Sequence, residues 1–484
     1  MEQLHYKSAV ELAALIRRKK IGCLELLDHF LARIEKYNPQ LNAIIWMDRD
    51  KARKRAKAAD AALRKGKRFG PLHGVPMTIK ESYQVAGTPT TWGVPALKDN
   101  VSDATAVSAQ RMIDAGVTLF GKTNVPIMLA DWQSYNAVYG VTCNPWDLGR
   151  TPGGSSGGSS CALAAGFTGI DAGSDIGSSI RNPAHYCGVF GHKPTHGLIT
   201  YRGHAATADT VAQPDISVVG PLARSADDLD VALDIMAGPD PDDGGYLKVA
   251  LPKCEKTSLR QFRVAVKLSD PNSDVDGEYA DQLQALVDGL GKAGAKVKEA
   301  APDIDTAHLN DVYIRLLRAA TSARMPDGEI EGWKQALANG ENESFLVRSV
   351  DGVTMTHRNW LKLNNERHVL RLKFNAFFKD YDILLCPVAA SAAFPHDHEN
   401  EGKRWRRRIT VNNKRVPPTD QLFWAGYSGL VYLPSTVGPS GITPSGLPTG
   451  YQAIAAQGKD KTSIAFARLV EKAFGGFEPP PGYA

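Results

Sequence analysis

Two amphipathic helices are predicted near the start of the chain. The shorter helix spans about 9–20 and begins at a capping box, in which Ser8 and Glu11 bond each other's backbone N–H groups. The longer helix spans about 24–37, where apolar side chains recur every three or four positions and form one stripe. Both helices therefore need a hydrophobic core to pack against. The residues of the stripe are Leu24, Leu27, Leu31 and Ile34.

Short apolar runs follow and alternate with helical stretches. Runs of β-prone residues near 75–79, 117–120 and 168–172 predict three strands. A helix is expected over 103–115, capped by Asp103 and ended by the glycine that follows. This alternation predicts an α/β fold with a central mixed β-sheet sandwiched by helices.

The later part of the chain repeats the same alternation. Residues 262–266 and 295–298 are predicted strands and 277–293 is the helix between them, which together make a β-α-β unit. At about 150 residues per domain, a chain of 484 residues suggests three domains. We nevertheless expect one domain over 1–484, because no proline- or glycine-rich linker separates the segments that carry the candidate chemistry.

The charge pattern favours neither a nucleic-acid nor a membrane partner. The 57 basic and 52 acidic residues leave a formal charge of +5, a small excess for this length. Basic residues in 51–68 are interleaved with alanines as on a solvated helix, and the basic run 403–408 is interpreted as an exposed loop. No run approaches the ~18 apolar residues of a membrane span. We expect a small-molecule substrate. The sequence is compatible with either a monomer or a homodimer.

The cysteines and the first residues favour a cytoplasmic protein. Six cysteines without a C-x-x-C pair are few for this length, as in a reducing compartment. Residues 1–8 lack the apolar stretch of a secretory signal. His396 and His398 come closest to a metal-binding spacing, but two ligands one residue apart cannot complete a tetrahedral site. Neither a metal nor another cofactor is expected.

Three segments carry the candidate chemistry. Residues 150–160, R-T-P-G-G-S-S-G-G-S-S, and 173–181, G-S-D-I-G-S-S-I-R, place serines on flexible backbone. There, hydroxyl and N–H groups can converge on one carbonyl carbon. Residues 70–82, G-P-L-H-G-V-P-M-T-I-K-E-S, end an apolar run with Lys80. A lysine buried in this way is a candidate base, because burial disfavours its charged form.

These segments resemble the amidase signature family, whose motifs read G-P-L-H-G-[IV]-P-x-x-x-K-[DE], G-G-S-S-G-G-S and G-x-D-x-G-G-S-I-R. The resemblance is strong over about 70–200 and weaker elsewhere. It implies the family's fold and an amide hydrolase with Ser179 as nucleophile, Ser155 as bridging serine and Lys80 as base, acting through an acyl-enzyme. The two serines are 24 residues apart, which fits the family. The resemblance also implies a cis peptide bond between Gly154 and Ser155.

The same resemblance implies an oxyanion hole made of backbone N–H groups in the segment that ends at the nucleophile. The family usually has glycine where this chain has Ser178, so a side chain there narrows the site or adds a hydroxyl beside it. His192 also replaces an apolar residue of the family and is interpreted as a core variant. The residues of the hole are Ile176, Gly177, Ser178 and Ser179.

By resemblance, the substrate pocket is lined by residues that follow Asn124 and by parts of the unmatched region at about 300–430. Its candidate contacts are Leu129, Ala130, Asp131, Ser174 and Asp175. Aromatic residues either surround an aryl or aliphatic group of the substrate or belong to the core, and both interpretations stay open for most of them. They are Trp132, Tyr135, Phe423, Trp424 and Tyr427. We therefore expect hydrolysis of small hydrophobic or aryl amides, anilides or carbamates, which present the same carbonyl to the same nucleophile.

Three other functions match parts of the sequence. The glutamine-hydrolysing subunit of the tRNA-dependent amidotransferase shares the triad, but its D-E-F-A-M-G-S stretch is replaced here by 126–132. Residues 116–123 match the phosphate-binding P-loop, although the predicted order is helix then strand, the reverse of a P-loop. Residues 153–157 match the nucleophile elbow of α/β-hydrolases, although a loop precedes them instead of a strand.

Overall fold

The computed structural model describes residues 3–483 as an α/β fold. Residues 1 and 2 of the amino-terminal segment 1–8 lie outside the described residues, as does the last residue of the chain. The largest sheet has eight strands of mixed orientation, so the predicted fold class is confirmed. A three-stranded sheet lies beside it, and two short hairpins complete the β structure of the described residues.

The α-helices of the described residues differ widely in length. They are α1 (Ala9–Arg17), α2 (Cys23–Leu41), α3 (Arg49–Arg64), α4 (Val107–Asp114), α5 (Gly157–Ala164), α6 (Arg181–Cys187), α7 (Ala226–Met236), α8 (Gly277–Lys292), α9 (Thr306–Ser322), α10 (Asp327–Ala338), α11 (Ser344–Val353), α12 (His357–Phe377), α13 (Leu422–Gly429) and α14 (Asp460–Phe474). Short 3-10 turns connect several of them.

The strands occur throughout the chain. They are β1 (Ile44–Met47), β2 (Pro76–Lys80), β3 (Thr118–Thr123), β4 (Tyr135–Asn136), β5 (Gly140–Val141), β6 (Asp171–Asp175), β7 (Phe190–Lys193), β8 (Val218–Ala223), β9 (Arg263–Val266), β10 (Lys296–Glu299), β11 (Ile383–Pro387), β12 (Ile409–Val411), β13 (Lys414–Val416), β14 (Ser435–Ile442) and β15 (Pro448–Ile454).

The large sheet has the strand order β10-β9-β11-β15-β14-β7-β8-β6. Strands β10, β9 and β11 are parallel, and every other neighbouring pair is antiparallel. The small sheet has the order β1-β3-β2, and a bridge between Met77 of β2 and Ile170 joins it to the β6 edge of the large sheet. This junction brings the end of β2 close to β6.

Helices cover both faces of the large sheet. Successive side chains of a strand point to opposite faces of its sheet. Two neighbouring residues of β14 show which helix packs on each face. The Thr436 hydroxyl donates to Ser463 of α14 at 2.9 Å. The next residue, Val437, packs in a core cluster with Ala184 and Cys187 of α6. The sheet is therefore sandwiched by helices, as the sequence predicts.

The predicted elements at the start of the chain are present with shifted ends. Helices α1 and α2 match the two amphipathic helices, and the Ser8–Glu11 capping box is confirmed. The helix expected over 103–115 begins only at Val107, and its cap position is held by Ala106 without a side-chain bond, so the prediction of Asp103 as its cap was wrong. The strand expected over 168–172 begins only at Asp171, and the Thr168 hydroxyl before it accepts a bond from the Thr78 N–H of β2.

The basic segments behave differently from each other. Helix α3 buries its alanine stripe and leaves its basic residues toward solvent, which confirms the predicted solvated helix. In the run 403–408, by contrast, Trp405 and Arg407 are 1% and 3% exposed, so the prediction of an exposed loop was wrong. The β-α-β unit of β9, α8 and β10 is confirmed, and its strands pair in parallel.

Other expectations concern membranes, metals and thiols. Among residues 3–483, every helix is either too short or too polar to cross a membrane. The same residues contain no group of three or more His, Cys, Asp or Glu side chains that could hold a metal ion. All six cysteines are free thiols.

Candidate active site

Lys80 is the last residue of β2 and is completely buried. Its Nζ lies 2.7 Å from the Ser155 Oγ and 2.9 Å from the Ser174 Oγ. Burial lowers the pKa of Lys80 from its ordinary value of 10.5 to about 7, although Asp175 and Asp171 act in the opposite direction. The amine is therefore available in its neutral form near pH 7.

Asp171 is the buried carboxyl group at the start of β6. Burial raises its pKa to about 7, while a hydrogen bond of 2.6 Å from the Thr78 hydroxyl acts against this rise. A carboxyl group that is partly protonated near pH 7 attracts the Lys80 ammonium less than a full carboxylate does. Asp171 therefore holds β2 to β6 and only weakly favours the charged lysine.

The two serine segments meet through their backbones. The Gly154–Ser155 peptide bond is cis, as the resemblance implies. The Ser156 N–H donates to the Ser179 carbonyl at 3.1 Å, which joins the two segments directly. Gly154 has no room for a side chain, because a Cβ there would clash with the Asp131 carbonyl oxygen. Ser155 and Ser179 are 1% and 5% exposed, and both line the same cavity.

Asp175 organises the turn that precedes α6. Its carboxylate binds the Arg181 guanidinium in a two-point ion pair, with both N···O distances at 2.9 Å. The same carboxylate accepts bonds from the N–H groups of Ser178 and Ile180 at 3.0 and 3.1 Å. Burial acts to raise the pKa of Asp175, but the Arg181 charge holds it below its usual value. Asp175 therefore supports the turn in addition to its predicted place in the pocket wall.

Two aromatic side chains fix the carbonyl groups of this turn. The Tyr313 hydroxyl donates to the Ile176 carbonyl at 2.9 Å, and the Trp132 indole donates to the Gly177 carbonyl at 2.8 Å. A trans peptide unit directs its N–H away from its carbonyl group. The Gly177 N–H therefore points away from Tyr313, on the opposite side of its peptide unit.

The expected oxyanion hole needs one correction. The Ser178 N–H donates to Asp175 and is not free, whereas the N–H groups of Ile176, Gly177 and Ser179 have no hydrogen-bond partner within residues 3–483. Ser178 adopts φ +71°, a conformation that favours glycine, and this explains why glycine suits the position. Its hydroxyl is buried and makes no hydrogen bond within the described chain.

A cavity of about 440 Å³ opens onto these groups. The expected contacts Leu129, Ala130, Asp131, Ser174 and Asp175 all line it, and so do Trp132 and Tyr135. The other three aromatic candidates do not: they pack on one another in the core around α13. These residues are Phe423, Trp424 and Tyr427.

The far wall of the cavity comes from segments that carry no motif. Leu317 and Arg318 of α9, Trp333 of α10, Phe345 of α11 and Trp405 complete it. The sequence offered one signal for this wall, the aromatic residue inside the basic run 403–408. Arg407 connects that run to the opposite wall, because it donates to the Asp131 carboxylate at 2.5 Å. Arg404 and Trp405 of the basic run thus form part of the cavity wall.

The P-loop match at 116–123 has a structural role. Residues 118–123 form β3, the central strand of the small sheet, which a helix precedes. The Lys122 ammonium is buried and donates to the backbone carbonyls of Glu81, Tyr83 and Pro89 and to the Thr90 hydroxyl. A lysine with its donors used in this way cannot hold a phosphate.

His192 lies in the core, as interpreted from the sequence. It is buried in β7 and bonds the Thr436 hydroxyl at 2.9 Å and the Asp460 carboxylate at 3.2 Å. The residue does not line the cavity and belongs to the packing between β7, β14 and α14.

Known proteins are similar to this chain over nearly its whole length. The chain is 32% identical over 474 residues to an indoleacetamide hydrolase of Bradyrhizobium diazoefficiens, covering 97% of this chain and 86% of the relative. It is 30% identical over 472 residues to one subunit of the glutamyl-tRNA(Gln) amidotransferase of Gloeothece citriformis, covering 92% of each. A bacterial aryl acylamidase structure matches with a TM-score of 0.81 and 25% identity, covering 98% of this chain and 97% of that one.

The family assignment rests on nearly the whole chain. The sequence model described as Amidase matches residues 25–464, which include Lys80, both serine segments and the far wall of the cavity. The chain therefore belongs to the amidase signature family and is a hydrolase that acts on carbon–nitrogen bonds.

Proposed function

We propose that the protein hydrolyses small amides, anilides or carbamates with a hydrophobic or aryl part, using Lys80, Ser155 and Ser179. The observation that carries this proposal is the buried Lys80 Nζ at 2.7 Å from the Ser155 Oγ. Neutral Lys80 takes the Ser155 proton while Ser155 takes the Ser179 proton, and the Ser179 alkoxide attacks the carbonyl carbon. Ser155 then protonates the departing amine, and water activated by the same relay cleaves the acyl-enzyme.

The developing oxyanion is stabilised by backbone N–H groups. Those of Ile176, Gly177 and Ser179 are free of other partners among the described residues, and Asp175 and Tyr313 hold the turn that carries them. Each donor of this kind contributes roughly a hundred- to a thousandfold in rate. In this proposal Ser178 contributes by keeping the turn in shape instead of donating to the oxyanion.

The preference for a hydrophobic substrate follows from the cavity wall. Leu129, Trp132, Leu317, Trp333 and Trp405 present mainly apolar surface to the cavity that the two serines also line. An aryl or aliphatic group that fills this space removes apolar surface from water, worth about 25 cal/mol per Å². A small polar amide such as glutamine makes little use of these contacts.

A glutaminase subunit is the second candidate, because the glutamyl-tRNA(Gln) amidotransferase relative is 30% identical to this chain. Such a protein would release ammonia from glutamine. The segment 126–132, whose Met128 and Leu129 have positive φ, occupies the place of the stretch usual in the glutaminase. Glutamine therefore belongs in the substrate panel as a direct competitor.

The test measures amine release from acetanilide, 4-nitroacetanilide, a phenyl-substituted carbamate and glutamine. We expect turnover of the aryl substrates by the wild type, loss of turnover in Ser179→Ala, and a strong decrease in Ser155→Ala. The matched control is Ser160→Ala in α5, because the Ser160 hydroxyl is buried but has no hydrogen-bond partner in the described chain. Turnover that persists in Ser179→Ala would exclude the mechanism, and glutamine as the best substrate would favour the second candidate.

A further inference from the structure

The far wall of the cavity contains arginines without an acidic partner. Arg318, Arg324 and Arg404 line the cavity, and none of them makes a salt bridge or a side-chain hydrogen bond within residues 3–483. Arg407 next to them is different, because it pairs with Asp131. The three unpaired guanidinium groups therefore face the space that the substrate would occupy.

Arg318 is the most buried of the three. The residue is 6% exposed in α9, and its Nε is buried without a hydrogen-bond partner in the described chain. Its guanidinium lies over the rings of Phe345 and Trp333, 4.7 and 5.5 Å from the ring centroids. Burial lowers the pKa of Arg318 to about 9, so the group remains charged at neutral pH. A buried charge without a hydrogen-bonding partner is unfavourable unless a ligand provides one.

Arg404 places a second positive charge beside Arg318. Its guanidinium lies over the same Phe345 ring, 5.8 Å from the centroid, and its charge helps to lower the pKa of Arg318. Arg324 stacks over Trp92 at 5.1 Å. The like charges of Arg318 and Arg404 repel each other, and an anion bound next to both groups would reduce this repulsion.

The acidic residues near these arginines offset their charge only in part. Glu329 lines the cavity, and burial raises its pKa while the charges of Arg318 and Arg404 act against that rise. Its carboxylate is nevertheless not within 4.0 Å of a cationic nitrogen among the described residues. Glu401 also lines the cavity and is exposed. Asp131 and Asp175 are already paired with Arg407 and Arg181. The unpaired groups therefore leave this end of the cavity positive.

We propose that Arg318 and Arg404 form a subsite for a carboxylate, so that the substrates are amides or carbamates with a hydrophobic body and an anionic end remote from the scissile bond. A planar guanidinium group binds a carboxylate through two parallel hydrogen bonds, and both of these groups line the cavity. Phe345 and Trp333 hold Arg318 in place, and Phe345 also contacts Arg404. This inference rests on the proposed function, because it names the substrate class of the same cavity.

The first experiment measures binding without turnover. Glutaric acid mono-anilide and its neutral counterpart pentanoic acid anilide are titrated into the Ser179→Ala protein by calorimetry, and so are 4-acetamidobenzoate and its methyl ester. These pairs place the carboxylate on the acyl side or on the amine side. A hydrogen-bonded charge pair predicts roughly tenfold to hundredfold tighter binding of the anionic member in at least one pair.

The second step assigns the preference to the arginines. Arg318→Gln and Arg404→Gln, each in the Ser179→Ala protein, should lower the ratio of anionic to neutral affinity to near one, and Arg318→Lys should restore part of it. The matched control is Arg415→Gln, an exposed arginine of the β13 hairpin outside the cavity, which should leave the ratio unchanged. Equal binding of both members in both pairs, or a preference that survives both cavity substitutions, would overturn the proposal.

Turnover by the wild type separates this proposal from the proposed function. Hydrolysis of the neutral members with no preference for an anion would refute the carboxylate subsite alone. Tight anion binding lost in Arg318→Gln, together with no amine release from any member, would support the subsite and count against the hydrolytic mechanism. Because binding is measured in Ser179→Ala, the subsite is tested in either case.

Discussion

Buried Lys80 lowers the free energy of unfolding of the wild type at neutral and lower pH. We expect Lys80→Met to remove this destabilisation. The difference between the ordinary lysine pKa of 10.5 and about 7 for Lys80 corresponds to about 5 kcal/mol. Below pH 7 the wild type must hold a charged lysine in a fully buried place, and this cost disappears as the pH rises to 10.5. Between these limits the unfolded chain binds more protons, so the stability of the wild type rises by about 1.4 kcal/mol per pH unit.

Urea unfolding of both proteins at pH 7, 8, 9 and 10 measures this effect. Groups distant from Lys80 titrate alike in both proteins, so the difference between the two free energies of unfolding reports Lys80 together with its neighbour Asp171, which titrates near pH 7. We expect the advantage of Lys80→Met to decrease by about 4 kcal/mol between pH 7 and pH 10. A difference that stays constant across this range would refute the argument that burial shifts this lysine.

Lys193→Met provides a matched control for the catalytic part of the argument. Lys193 is also buried, and burial likewise lowers its pKa to about 7, but it does not line the cavity. Its substitution should give the same stability signature. In the wild type and in Lys193→Met, kcat/KM should fall about tenfold per pH unit below pH 7, because protonated Lys80 cannot act as a base. A profile that is flat from pH 5 to pH 8 would exclude Lys80 as the base.

Three further changes test the surroundings of the triad. Asp171→Asn removes a carboxyl group that favours charged Lys80 and keeps an acceptor for the Thr78 hydroxyl. The midpoint of the pH profile of kcat/KM should therefore move to lower pH. A move to higher pH would contradict this role of Asp171. Ser178→Gly should raise the free energy of unfolding, measured in urea, by about 1 kcal/mol, because φ +71° suits glycine. A lower free energy of unfolding would show that the hydroxyl contributes more to stability than the backbone conformation costs. Arg181→Lys keeps the charge but loses the two-point ion pair with Asp175. We expect kcat to fall roughly a hundredfold while the fold is retained. An unchanged kcat would show that the turn does not depend on this ion pair.

The sequence was sufficient to predict that Lys80, Ser155 and Ser179 lie at one end of the cavity, because the constraints on these segments are local. Gly154 has no space for a Cβ, and Lys80 must end a buried strand, so these residue types are legible in short motifs. The fold class followed from the alternation of helices and strands. Element ends were less predictable, since contacts between distant residues lie there. The Ala106 N–H that precedes α4 donates to the Gln84 carbonyl, and the Thr78 N–H donates to the Thr168 hydroxyl, 90 positions away and just before β6.

The resemblance indicated that parts of the region at about 300–430 line the pocket, but the residues of the far wall could not be predicted, because its chemistry depends on which distant side chains contact the same ring. Arg318 and Arg404 are 86 residues apart, yet both lie over Phe345. As a sequence, the run 403–408 looks like a solvated charge cluster; only packing buries Trp405 and turns Arg404 toward the cavity. Substitutions in this wall can therefore leave the serine and lysine segments unaltered. Substrate preference in this protein should depend on Arg318 and Arg404 more than on any residue of the motifs.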